Sequence, residues 1–236
     1  MKCSLMSRSD ATLLVEQSLA RDGLVIAGMD EVGRGALAGP VCVGAVVVAD
    51  LECQVPAGMT DSKLLSAKRR ELLREQILAW ATAWAVGEAS ASEIDTHGII
   101  GALRLAGRRA IAQIEQTFGR VDLVLLDGSH DWLTEPRGVA TSDEVLDLWN
   151  TPSSAVSSSY RVSTRVKADL HCATVAAASI LAKCYRDAHM RDLASQYPQF
   201  AWDSNKGYAS AAHRDALTTH GPTDYHRRTW KLPARN

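Results

Sequence analysis

Between Met29 and Pro40 the chain reads MDEVGRGALAGP, so the adjacent carboxylates Asp30 and Glu31 are followed at once by three glycines and an arginine. Two carboxylates turned to one point repel each other unless a cation stands between them, and magnesium and manganese take oxygen ligands of this kind. Two such ions can activate water and stabilise the leaving oxygen in phosphodiester hydrolysis. Adjacent strand residues point to opposite faces, so the pair converges only where a strand end frays. Taken alone, Asp30 and Glu31 are also readable as a capping or turn pair. Two further acids narrow the choice: Asp127 closes the apolar run VDLVLLDG, and Asp169 stands in KADLHCATVAAAS at the start of a helical stretch. Strand ends and helix starts are where α/β proteins place ligands. Singly, Asp127 fits an Asx turn and Asp169 a helix N-cap. Lys167, two residues before Asp169, either balances charge at such a site, contacts phosphate, or is a solvated strand-end lysine.

These acids need elements to position them. The apolar, β-branched runs Leu24 to Met29 and Val41 to Val48 predict two strands joined by the glycine-rich loop from Gly33 to Pro40. A third strand is expected over Trp80 to Val86, a buried one over Val121 to Leu126, and an alternating one over Tyr160 to Val166. Helical spacing marks residues 10–20, Ser66 to Leu78, Ile99 to Thr117, Cys172 to Met190 and Ala209 to Thr218. From Ser129 to Ser159, prolines, Gly138 and five serines after Pro152 interrupt all periodicity, and the segment reads as an irregular surface excursion. The chain, 1–236, is therefore expected to form one α/β domain with an insertion at about 129–159 and a small helical C-terminal part from about 195.

Composition sets outer limits. At 236 residues and 46% hydrophobic content the chain can bury a core without staples. Its five scattered cysteines include no C-x-x-C pair, which argues against a disulfide framework and a zinc site and fits a reducing cytoplasm. No apolar stretch reaches the length of a membrane span. A net charge of −1 speaks mildly against a nucleic-acid binder, yet an acidic metal site would mask basic residues elsewhere. The tail from Asn205 does carry Lys206, Arg214, Arg227, Arg228, Lys231 and Arg235 against Asp215 and Asp224; it either meets phosphate or is a solvated surface. His213 and His226 read as structural or near phosphate rather than as metal ligands.

DEVGRGALAGPV, DSK at Asp61 to Lys63, LLDG, KAD followed by AAASILAK, and NKGY at Asn205 to Tyr208 occur in that order along the whole chain. In this the sequence resembles the ribonuclease HII family. The resemblance implies a ribonuclease-H-like mixed five-stranded sheet flanked by helices. It implies four acidic ligands, Asp30, Glu31, Asp127 and Asp169, for two divalent ions, Mg2+ or Mn2+. It also implies hydrolysis of the RNA strand of RNA/DNA hybrids and 5' of single ribonucleotides in duplex DNA, leaving 3'-hydroxyl and 5'-phosphate ends. Gly33, Arg34 and Gly35 then approach the ribonucleotide 2'-hydroxyl and its phosphates, Tyr208 reads the same hydroxyl, and Lys63 and Lys167 join the substrate contacts. The 2'-hydroxyl is the group that separates RNA from DNA. Asn205 departs from the histidine often found before KGY in the family, and the LLDG to KAD interval is longer than in many members. Other readings are a type III ribonuclease H, whose extra N-terminal domain precedes the acidic pair that here arrives at residue 30, another ribonuclease-H-like nuclease, and a hybrid-binding module without catalysis.

Overall fold

The computed structural model describes residues 10–20, 23–135 and 160–234. Five strands form one mixed sheet: β1 (Ile26–Val32), β2 (Val41–Val47), β3 (Ala83–Ala89), β4 (Leu123–Asp127) and β5 (Arg161–Arg165), in the order β3-β2-β1-β4-β5. β2 pairs antiparallel with both β1 and β3, whereas β4 pairs parallel with both β1 and β5. This is the mixed five-stranded sheet expected. The β1 and β2 runs are buried on both faces, which is why they read as continuous apolar segments rather than alternating ones.

The helices are α1 (Leu14–Leu19), α2 (Ala67–Trp80), α3 (Ala91–Thr117), the single turn α4 (Ala168–His171), α5 (Ala173–Gln196), α6 (Trp202–Asn205) and α7 (Ala211–His220). α3 covers one face of the sheet through Ile94, Leu103, Ala106, Ala110 and Ile114. α5 crosses the other face, and Ala173, Ala176, Ala177 and Ala178 are all fully buried. The small residues matter on both sides of that contact. A Cβ on Gly28 would lie 2.2 Å from Thr174 Oγ1, and one on Gly44 would lie 2.3 Å from the Ala178 carbonyl oxygen, so helix and sheet approach as closely as backbone permits. α1 is anchored to α5 by Glu16, a fully buried acid that accepts from the Thr174 amide and hydroxyl at 2.9 and 2.8 Å.

Several boundaries differ from those expected. The third strand begins at Ala83, because Trp80 completes α2 and donates its indole N–H to Cys53 Sγ. α3 begins at Ala91 rather than Ile99. Ser90 and Glu93 form a reciprocal capping box there, and the helix kinks at Gly98, whose φ of 68° and ψ of 167° are not helical. The first helix is only six residues long. The opening of the expected surface excursion is also structural: Trp132 and Leu133 are 1% exposed and pack against Gly107 of α3. The remainder of that excursion, 136–159, lies outside the described residues.

The C-terminal part is tied into the molecule. Trp202, His213, His226 and Arg227 are at most 1% exposed, whereas Arg214, Arg228 and Lys231 of the basic tail are exposed. The described cysteines, Cys42, Cys53, Cys172 and Cys184, are free thiols, and burial pushes Cys42 and Cys172 up to about 12. No helix among the described residues is long and apolar enough to cross a membrane.

Candidate active site

The parallel pairing of β1 and β4 sets Met29 opposite Leu126, which brings the next residue of each strand, Asp30 and Asp127, side by side at the strands' C-terminal ends. Asp30 shares its register position with Gly44 of β2, on the face that α5 crosses, and is 4% exposed. Beyond β5 the chain turns through Lys167 in the left-handed region (φ 59°) and enters α4. That turn delivers the Ala168 amide to Asp127 Oδ1 at 2.7 Å and places the next residue, Asp169, beside Asp127. Asp169 is also buried, at 5% exposure. Glu31, which the strand alternation points away from Asp30, reaches Arg34 Nη1 at 3.4 Å.

The electrostatics show that these acids share one region. Burial, with the nearby charges of Glu31 and Asp127, pushes Asp30 up to about 8 against the pull of the Ser179 hydroxyl and Lys63. Burial, then Asp127 and Asp61, pushes Asp169 up to about 6. Lys63 answers them: burial draws its pKa down, but Asp61, Asp30, Asp169 and Asp127 together lift it above the usual lysine range. Among the described residues no three carboxylate, imidazole or thiol groups are grouped closely enough to hold an ion as placed. Three of the four acids are engaged locally instead, Asp30 Oδ1 with the Glu31 amide at 2.8 Å, Asp127 with the Ala168 amide, and Glu31 with Arg34. The donor set is nevertheless all carboxylate oxygen, and burial with nearby negative charge raises the proton affinity of two of its members, Asp30 and Asp169. A hard divalent cation is the partner that would let them ionise together.

The second cluster of expected residues lies where the loop after β1 meets the turn after α6. Gly33 takes φ 86°, and a Cβ there would lie 2.1 Å from Arg186 Nε, so only glycine fits. Arg34 and Gly35 are exposed at the tip. The Leu37 and Ala38 amides both donate to the Gly207 carbonyl, at 2.8 and 3.2 Å, which sets Tyr208 beside the loop. The Tyr208 ring is 38% exposed and lies under the Arg186 guanidinium, 5.6 Å from its centroid. Lys167 is exposed on the turn before α4.

Four side chains to which sequence reading gave no part in the site, Arg227 among them as only a basic tail residue, hold this arrangement. Asp61 caps the turn carrying Lys63, and Ser179 binds Asp30 while its hydroxyl lies 2.9 Å from that of Ser62. Their signals, DSK and AAASI, were visible as motifs without a role for these residues. Arg186 donates to the Pro40, Ala38 and Lys206 carbonyls, and Arg227 to those of Gly33, Arg34 and Gly39. Neither arginine has an ion-pair partner among the described residues. Burial and the neighbouring Arg186 draw Arg227 down to about 9.

Residues 27–233 match the family model described as Ribonuclease HII. The chain belongs to the ribonuclease HII family. A Ribonuclease HII from Streptomyces avermitilis is 43% identical over 221 residues, spanning 93% of this chain and 83% of that one. The structure is similar to that of the RNase HII in a PCNA complex from Archaeoglobus fulgidus, with a TM-score of 0.65, 26% identity, and coverage of 90% of this chain and 98% of that one. The fold is shared with Bst-RNase HIII solved in complex with Mn2+, at a TM-score of 0.64, 19% identity, and coverage of 88% and 67%. As a ribonuclease HII the chain is a hydrolytic endoribonuclease with a ribonuclease-H-like fold, of a metal-dependent family.

Proposed function

We propose that this ribonuclease HII cuts the RNA-containing strand of RNA/DNA hybrids, and 5' of single ribonucleotides in duplex DNA, leaving 3'-hydroxyl and 5'-phosphate ends. Asp30, Glu31, Asp127 and Asp169 hold two divalent ions, Mg2+ or Mn2+. The observation that carries this reading is the junction of β1, β4 and α4, where Asp30, Asp127 and Asp169 meet at one end of the sheet and burial, with the charge of Asp127, raises the proton affinity of Asp30 and Asp169. Bound divalent ions supply charge neutralisation at the scissile phosphate and a lowered pKa for the attacking water.

The remaining residues bind and orient. Gly33, Arg34 and Gly35 form the loop that meets the ribonucleotide and its phosphates, with Arg34 and Gly35 exposed at its tip and Gly33 buried at its base, and Tyr208 offers its hydroxyl and ring face. Lys63, kept charged by four acids around it, and the exposed Lys167 meet phosphate oxygens. The four described cysteines, all free thiols and three of them buried, suit a reducing cytoplasm. The deciding experiment is cleavage of a DNA duplex containing one ribonucleotide, with product ends mapped in Mg2+, in Mn2+ and in chelator. A single cut on the 5' side of the ribonucleotide, absent in chelator and absent from an all-DNA duplex, is the expected result. Equal cutting of plain DNA, or a need for a run of ribonucleotides, would overturn the reading.

A further inference from the structure

His213 and His226 are 0% and 1% exposed, and their Nε2 atoms lie 3.1 Å apart. Their surroundings fix every proton. The Tyr208 carbonyl, 2.9 Å from His213 Nδ1, only accepts, so that nitrogen carries hydrogen. The Thr223 amide, 2.9 Å from His226 Nδ1, only donates, so that nitrogen is bare. His226 Nε2–H therefore donates to His213 Nε2, which also accepts the Trp202 indole N–H at 3.1 Å. Both rings are neutral, and burial holds both below the usual histidine range. The chain of bonds runs from Thr223 through two imidazoles to the backbone of Tyr208.

The next residue works on the other side. Arg227 donates to the Arg34 carbonyl at 2.8 Å and to the Gly33 carbonyl at 2.6 Å, and its amide donates to Leu37 at 3.0 Å. The Gly39 amide in turn donates to the Tyr225 carbonyl at 2.8 Å. One segment, Thr223 to Arg227, thus grips both the Gly33–Gly35 loop and Tyr208. A pair of buried polar rings and a buried guanidinium without an acid carry a desolvation cost that simple packing would avoid.

We propose that His226 and Arg227 are positioning residues that fix the spacing between Tyr208 and the Gly33–Arg34 backbone, so that the two halves of the ribonucleotide test act as one unit. The inference rests on the reading of Tyr208 and Gly33 to Gly35 given above. Residues acting through Tyr208 cannot add to its loss, and this separates positioning from general structural damage.

The test is a double-mutant cycle on kcat/KM for a duplex with one ribonucleotide, alongside Kd for the same duplex made wholly of DNA. The proteins are wild type, Tyr208→Ala, His226→Leu and the double variant, with thermal unfolding as the check of fold. His226→Leu should lower kcat/KM by about tenfold, the loss of one directed buried hydrogen bond, with the all-DNA Kd within about twofold of wild type. The double variant should be no more than about twofold slower than Tyr208→Ala alone. His226→Gln, whose amide can still donate to His213, should recover most of the activity. If His226→Leu does not fold, the same cycle with Arg227→Lys, which keeps the charge but not the fork, decides the matter by the same criterion. Losses that multiply, all-DNA binding that falls in step with cleavage, or wild-type kcat/KM in a folded variant would overturn the inference. A wild-type enzyme indifferent to the ribonucleotide would instead overturn the underlying reading.

Discussion

Replacing Asp30 by Asn should abolish cleavage and, in chelator, make the protein more stable. Asp30 is 4% exposed, and its carboxyl is pushed up to about 8 from an ordinary 3.8. The folded state therefore holds a proton that the unfolded chain releases throughout that interval. For an acid with a raised folded pKa, stability is fully present below 3.8 and is lost as pH rises, levelling out above about 8. At pH 7 the gap is about three pH units, and at about 1.4 kcal/mol per unit the Asp30 carboxyl costs the metal-free fold about 4 kcal/mol. Asn keeps the shape and an oxygen for the Glu31 amide while carrying no proton to lose.

The advantage of Asp30→Asn should accordingly be small near pH 4 and should grow by about 3 kcal/mol between pH 5 and pH 7. Urea denaturation of both proteins in chelator across that range measures it, because contributions common to the two cancel in the difference. Adding Mg2+ should then stabilise the wild type more than the variant, since ligand binding to the folded state adds stability in proportion to affinity. A pH-independent difference would refute the account of Asp30 as a buried acid with a displaced pKa. Near-normal turnover by purified Asp30→Asn would refute its assignment as a metal ligand.

Metal binding to the wild type at pH 7 should release about one proton, because ionising Asp30 is a condition of ligation; calorimetry in buffers of different ionisation enthalpy counts it, and the number should fall toward zero above pH 9. Tyr208→Ala should slow cleavage at a single ribonucleotide by about tenfold or more, as the loss of one polar contact plus stacking, while all-DNA binding measured by anisotropy stays within a few-fold. His226, held down at about 4 by burial, His213 and Arg228, takes up its proton later than the unfolded chain does as pH falls. Stability should therefore fall between pH 6.5 and pH 4 by up to about 3 kcal/mol on its account, and His226→Gln should flatten that slope in denaturant titrations. Trp132→Ala should cost about 3 to 5 kcal/mol in the same assay, whereas removing 136–159, which contributes none of the proposed site residues, should leave cleavage intact in a folded protein.

Asp30 and Asp127 were legible because each follows an apolar run whose pattern is itself strong. Asp127 follows LVLL and Asp30 follows IAGM, so a reader who finds the two buried apolar runs also finds both acids, although β1 continues past Asp30 to Val32. Their side-by-side placement was not legible, since it depends on the parallel β1–β4 pairing between segments some hundred residues apart. No local signal carries register of that kind. Ser90 and Glu93 present the opposite case. The capping-box spacing stood in the sequence, but the helix was expected only from Ile99; the stretch from Ala91, which precedes the kink at Gly98, buries Ile94 in the core beneath the sheet.

Arg186 and Arg227 mark the limit of what pattern can reveal. An arginine is normally a surface residue, and one in a basic tail is read as solvated or phosphate-bound. Both are instead fully buried, and their acceptors are backbone carbonyls, which every residue possesses and which leave no trace in the side-chain sequence. The glycines supply the reverse half of the evidence. Gly33 has no Cβ because the Arg186 side chain fills that place, and the Cβ missing from Gly39 would meet Met190 of α5. The GRG motif thus records two requirements at once. Its exposed residues, Arg34 and Gly35, face solvent, and its buried one, Gly33, records the arginines beneath. Sequence reading assigned all three to the ligand. Packing shows that Gly33 must also answer to the interior, which is why a substitution there should damage the loop's support before it touches any substrate.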